Sequence, residues 1–407
     1  MTPDVEITLR YGESPEWHVK ANHDFITLPS DIHRDQLPDV CDSMRRWLTT
    51  FKSECARSFS YQVPSVSKLG IAATKALNRG LHELMKFVSR KGVYELARFM
   101  TKATRGIDVP VVHVVSDLDT FFPIEALPLF YNEPSSMTDL DGVASQFLGF
   151  RAVVHRISSR SRVEGCRVLN SAEKLPLKLF QYAGLNGVSA ETEFFAKNAS
   201  AISCDGPWPH DGVDEATVTS TVVSHLHDPR LGFSRNLDVS DEIQHFSCHC
   251  RTTGRPHEHE LRLQSPGGGA TRVFLSSLNS ELVQLGDDPV ASKPIVFLNA
   301  CGAIACMPNN SDSFLKFFLR QNRNRGVIGT QANIPDETAA WFPQYFYKHL
   351  LEGNHLGLAM LYARQSLLRN HVNPLGLLYV AFAQPNICVS TKRGIEILDP
   401  ENQDDRQ

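Results

Sequence analysis

Two short apolar runs, each ending in a reactive side chain, constrain this chain most. Pro294 to Cys301, PIVFLNAC, is a stretch of β-favouring residues bounded by Lys293-Pro294 before it and by Cys301-Gly302 after it. That is the sequence form of a central strand in a parallel sheet. Glu242 to His249, EIQHFSCH, is a second run of the same kind, and its histidine lies 52 residues before Cys301. The spacing suits neighbouring parallel strands joined by a crossover, and chemistry in such sheets gathers outside the carboxyl ends of the strands. A thiol and an imidazole there form a nucleophile and its base.

The chain has 407 residues, enough for one large domain or two smaller ones. Hydrophobic residues make up 42% and charged residues 21%, an ordinary globular balance. A net charge of −4 offers no general attraction to nucleic acid. MTPDVEITLR has no basic region followed by an apolar stretch, and no window approaches 18 uninterrupted apolar residues, so a cytosolic protein without a membrane span is expected. Nine cysteines without a framework pattern read as free thiols of a reducing compartment.

Strand and helix patterns alternate along the chain, which predicts a three-layer α/β fold with a mostly parallel central sheet and helices on both faces. Residues 1–65 hold a strand at Val5 to Leu9 and a helix near Leu37 to Ser53, without evident chemistry. They are expected to be a separate, regulatory segment ahead of a domain over 66–390, with an acidic tail at 391–407. Lys68 to Arg105 is helical, and Lys75 to Arg105 carries eight basic against two acidic residues. That is a solvated face or a surface for an acidic partner. Arginine-rich Ser158 to Arg167 is expected to be a surface loop. Asp214 and Asp312 are expected to cap helices, Pro343 to kink one, and Leu377 to Ala383 to form a late strand.

His245, Cys248, His249, Cys250, His257 and His259 are dense enough in metal-ligating side chains to be weighed as a zinc site. Alternation along a strand sends His245 and His249 to one face and Cys248 and Cys250 to the other, and there is no C-x2-C pair. No metal or cofactor is therefore expected.

These segments together resemble the CHAT family, caspase-like cysteine proteases related to caspases, separases and gingipains. The resemblance covers about residues 70–390. FPIEAL is similar to the family's P-x-E-x-L element, HFSCHC to its histidine strand and FLNACGA to its L-x-A-C strand. VIGTQANIPDETAAWFPQYFYKHLLEGNHLGLAMLYARQSLL resembles its string of G-T, D, F-x3-F-Y, L-x2-G and A-R. The family has His-Gly where this chain has His249-Cys250; cysteine keeps the backbone N–H that the glycine supplies.

The resemblance implies an endopeptidase acting on a protein substrate, with Cys301 as nucleophile and His249 as general acid and base. Backbone N–H groups of Cys250 and Cys301 would hold the oxyanion, while Asn299 and Asp336 are the candidates for the pocket that takes the P1 residue. An uncharged Asn299 and an acidic Asp336 favour a basic or neutral P1 residue over an acidic one. An activating protein partner is expected as well. The alternatives are a pseudoprotease serving as an interaction module and, from the cysteine-histidine cluster, a zinc-stabilised interaction domain.

Overall fold

The computed structural model describes residues 2–10, 15–30, 36–59, 75, 79–82, 84–86, 88–116, 123–130, 140–158, 168–170, 174–227, 243–252, 258–285, 294–304 and 313–390. The arginine-rich stretch 159–167, Asp312 and the acidic tail lie outside them, as does part of the helical run from Lys68.

The larger sheet is built on a parallel core. Strands β7 (Leu175–Gln181), β8 (Ile202–Trp208), β9 (Ile243–Arg251), β12 (Ile295–Ala300) and β13 (Gly326–Thr330) run in the order β8-β7-β9-β12-β13, and β14 (Tyr379–Ala383) closes the row antiparallel to β13. A hairpin of β10 (Glu260–Gln264) and β11 (Ala270–Phe274) pairs with the carboxyl end of β9. All six residues of β12 are buried, as expected of a strand covered on both faces.

Period-two alternation divides that burial between two layers. Ile243, Ile295 and Phe297 face Phe195, Phe346, Tyr347 and Leu350, which belong to helices α3 (Val188–Lys197) and α6 (Asp336–Leu351). Phe246, Val296 and Leu298 face the opposite cluster, which includes Val222 and Leu226 of α4 (Glu215–His227) and Leu278 of α5 (Leu275–Leu285). The three-layer expectation is borne out. Asp214 caps α4, accepting the Thr217 N–H at 2.9 Å. Ser313 caps the short helical turn Phe314–Lys316, accepting from the Lys316 N–H. The late strand starts at Tyr379 because Pro374–Leu378 closes into a 3-10 turn capped by Asn373. Helix α6 continues through Pro343 to Leu351, and Gly353 follows it at φ 89° before α7 (Leu356–His371).

The first residues do not stand apart. β1 (Val5–Arg10) pairs with β2 (Glu16–Ala21) on one side and in parallel with β4 (Val111–Ser116) on the other, giving a second sheet ordered β3-β2-β1-β4-β5 with β3 (Asp24–Pro29) and β5 (Val153–Ser158). A boundary at residue 65 would cut through this sheet. Its apolar face, including Val5, Ile7, Val112 and Val114, packs into the same core as Ile295 and Phe297, and Trp47, Leu48 and Phe51 of α1 (Leu37–Phe59) join them.

Where the two sheets meet, Glu125 and Arg156 form an ion pair with both side chains 1% exposed. Arg156 Nε donates to Glu125 Oε1 at 2.9 Å, and its guanidinium lies 5.3 Å from the Phe382 ring of β14. Arg364 of α7 adds hydrogen bonds to the carbonyls of Gly149 and Tyr379. Removing the carboxylate strips the buried Arg156 of its ion pair, so Glu125→Ala should cost about 3–5 kcal/mol. Glu125→Leu combined with Arg156→Met should cost less than the single change. Urea denaturation of the three proteins checks this.

Candidate active site

The pairing of β9 with β12 sets the geometry. It is parallel, and its last registered partners are Cys248 and Ala300. One step further along each chain come His249, still inside β9, and Cys301, just past the end of β12; alternation assigns both to the face that carries His245 and Phe297. Neighbouring strands are about 4.8 Å apart, but no hydrogen bond joins the two side chains: the thiol turns to the Ile334 carbonyl and the imidazole to the Tyr182 ring. His249 is exposed and Cys301 half-buried.

The backbone at the two strand ends is turned toward the same gap. The Tyr182 N–H donates to the Ser247 carbonyl at 2.8 Å, so Ser247 faces β7 and alternation directs the Cys250 N–H toward β12. On the other strand, the Thr330 hydroxyl of β13 donates to the Ala300 carbonyl at 2.6 Å, and alternation turns the Cys301 N–H toward β9, where the parallel Cys248–Ala300 pairing engages it with the Cys248 carbonyl. Gly302, at φ 62°, then reverses the chain, with its N–H donating to Thr330 Oγ1 at 2.9 Å. A side chain at position 302 would be strained.

Cys301 Sγ donates to the Ile334 carbonyl at 3.6 Å. Burial pushes its pKa above the ordinary thiol value; Lys52 of α1 acts against that rise and Asp336 adds to it. Cys248 and Cys250 are driven up further, again by burial. Both pack in or against the opposite core cluster, so the split of the cysteine-histidine group between two faces is realised. His259 is buried on β10's approach, and His257 lies outside the described residues. The Tyr182 ring rests on the His249 imidazole with centroids 4.8 Å apart. Gly184 makes room for it, because a Cβ there would come within 2.6 Å of Tyr182 Cε1.

Asn299 is 3% exposed and fully engaged beneath the strand end. Its amide donates to the Ala339 carbonyl at 2.8 Å and to Glu191, and its oxygen accepts the Tyr379 hydroxyl at 2.6 Å. Glu191, 2% exposed, also takes His245 Nε2 at 2.9 Å, while His245 Nδ1 meets the Tyr347 hydroxyl at 3.0 Å. Burial and Glu191 push both phenols well above their ordinary pKa. With His245 Nε2 on Glu191 and Nδ1 on the Tyr347 hydroxyl, every member has a partner. Asp336 is half-buried in the first turn of α6, where Pro335 holds the cap position, and it is close enough to Cys301 to influence the thiol.

Sequence reasoning missed Glu191, Tyr182 and Lys52. Glu191 carried one signal, its place one helical turn before the core residue Phe195. Lys52 carried none, since only the packing of α1 brings it near Cys301. Away from this site, a cavity of about 420 Å³ lies among Leu81, Met85, Arg90, Tyr94 and Phe130 and contains no nucleophile.

No protein-family model matches the chain. A stretch of 97 residues, 24% of the chain, is 34% identical to a probable protease of Vitiosangium sp. (strain GDMCC 1.1324), and it spans 12% of that protein's length. Among solved structures, the chain is similar to separase in the Saccharomyces cerevisiae separase–securin complex, with a TM-score of 0.46 and 11% identity over 95% of this chain and 30% of that one. It is also similar to the complex of Porphyromonas gingivalis RgpB pro- and mature domains, with a TM-score of 0.45 and 12% identity over 75% of this chain and 71% of that one. Among the described residues, no helix is long and apolar enough to cross a membrane, and no group of three or more His, Cys, Asp or Glu side chains could hold a metal ion.

A buried thiol with a raised pKa is protonated at neutral pH. Iodoacetamide should therefore modify Cys301 more slowly than free cysteine at pH 7. The rate should rise about tenfold per unit through pH 8 and show no plateau below the ordinary thiol range of about 8.5. Mass-spectrometric timing of the labelled peptide measures this; a flat rate from pH 6 would indicate a thiolate-imidazolium pair instead.

Proposed function

We propose that this chain is a caspase-like cysteine endopeptidase acting on a protein substrate. The observation that carries the reading is the β9–β12 register, whose last partners, Cys248 and Ala300, immediately precede His249 and Cys301. The match of 97 residues to a probable protease supports it. Cys301 Sγ attacks the scissile carbonyl, and His249 takes up the thiol proton and delivers it to the leaving amine. The Cys250 N–H, which faces β12, holds the tetrahedral oxyanion together with the Cys301 N–H once that group is released from the Cys248 carbonyl. Water then attacks the acyl-enzyme with His249 as base, releasing the new carboxylate and restoring the thiol.

Asp336 provides the negative charge of the P1 pocket, favouring an arginine or lysine before the scissile bond. Asn299 holds the pocket from below through Ala339, one helical turn beyond Asp336. The raised thiol pKa fits a resting site that a partner brings to full competence. Such a partner must bind the competent arrangement more tightly than the idle one, by about 1.4 kcal/mol for each tenfold shift in population.

Cys301→Ala and His249→Ala should each lower kcat/KM at least about 1,000-fold without loss of thermal stability. Wild-type turnover by Cys301→Ala would sink the assignment. Asp336→Asn should reduce cleavage after arginine by about tenfold or more relative to cleavage after a neutral residue, read from a positional peptide library. Strict cleavage after aspartate would overturn the pocket assignment.

A further inference from the structure

Beside His249 the hairpin carries a row of arginines that the dyad does not use. His249 is the registered cross-strand partner of Arg262, and Arg262 is the partner of Arg272 on β11. Registered antiparallel partners share a face, so Arg262, Arg272 and Arg251, two residues beyond His249, lie on the face that presents the imidazole. The opposite face holds Leu261, Leu263 and Val273, each 1% exposed or less. The hairpin is therefore pinned by its apolar face and cannot turn the arginines away without exposing core.

A buried carboxylate organises the row. Glu260 is 2% exposed, and its Oε1 accepts from Arg262 Nε at 2.6 Å while its Oε2 lies 3.9 Å from Arg272 Nε. The arginine side chains themselves remain 34% and 54% exposed. A guanidinium has five N–H donors, so anchoring to Glu260 fixes Arg262 and leaves donors pointing outward. Other charges near the hairpin are Arg251, which is exposed, Glu258, half-buried just before β10, and Asp211, which accepts the Gly267 N–H at the turn. By strand register the face that carries Arg251, Arg262 and Arg272 carries one carboxylate, Glu260.

We propose that Arg262 and Arg272 form a subsite for acidic side chains on the leaving-group side of the scissile bond. The inference rests on the peptidase reading above. The imidazole that protonates the leaving amine must stand on the leaving-group side of the thiol. The substrate therefore departs from Cys301 in the direction from β12 to β9, and the next strands that way are β10 and β11. With strands about 4.8 Å apart and an extended peptide advancing about 3.3 Å per residue, the two arginines fall opposite the second to fourth residues after the cut. The favoured substrate class is a polypeptide with aspartate or glutamate at P2′ to P4′, and Arg262 and Arg272 are the specificity-determining residues.

The test uses the full chain and fluorogenic peptides mixed at P1, with aspartate, alanine or lysine at P2′ to P4′. The expected result is a preference for aspartate over lysine of about tenfold or more in kcat/KM, shrinking toward unity at 0.5 M salt as the charges are screened. Arg272→Gln should flatten the preference, and Arg272→Glu should move it toward lysine. Arg262→Lys, which keeps the charge beside Glu260, should retain part of it, with thermal melts confirming that each variant folds. Cleavage without a preference, or a preference untouched in the Arg272 variants, overturns the subsite and leaves the peptidase reading standing. Failure to cleave any peptide overturns the peptidase reading and the subsite with it.

Discussion

The parallel register of β9 and β12 is the constraint on which the rest depends. Side chains on a strand alternate with period two, so a slip of one residue would send either His249 or Cys301 to the opposite face. What prevents the slip is burial on both faces. Ile243, Ile295 and Phe297 are committed to one core cluster and Phe246, Val296 and Leu298 to the other, and exchanging them would bury His245 and Asn299 among apolar side chains without partners.

Those two polar residues are themselves part of the fixing. Glu191 from α3, His245 from β9, Asn299 from β12, Tyr347 from α6 and Tyr379 from β14 meet in one hydrogen-bonded group below the strand ends. An unpartnered polar group at this depth would cost about 1–3 kcal/mol, so the group tolerates only the arrangement in which all members are satisfied. It thereby ties α6, and with it Asp336, to the strand that carries Cys301. Burial changes over two residues at the end of β12: Asn299 is saturated with protein partners, and Cys301, just past the strand, is half-buried.

The sheet of the amino-terminal half bears on the site from a distance. Its core merges with that of the larger sheet, and Glu125, Arg156 and Arg364 seal the junction. The helix Leu37–Phe59 brings Lys52 close enough to Cys301 to oppose the rise in its pKa. A change in how this half packs would therefore reach the thiol through a charge, without moving either strand end.

The sequence by itself determined the strands and their layer. The runs PIVFLNAC and EIQHFSCH, each too apolar for a surface and too short for a covered helix, specify buried parallel strands. Their terminal cysteine and histidine follow from chain direction, and period two alone divides His249 from Cys250. Only tertiary structure decided what depends on distant segments meeting. Glu191 reaches Asn299 across 108 residues of chain, a separation no local pattern encodes. Residues 1–65 looked detachable because a strand's sheet neighbours do not show in its own pattern, yet β1 is paired on both sides. The arginines beside His249 likewise sit 13 and 23 positions further along the chain, and only the folding back of the hairpin places them in line with the imidazole.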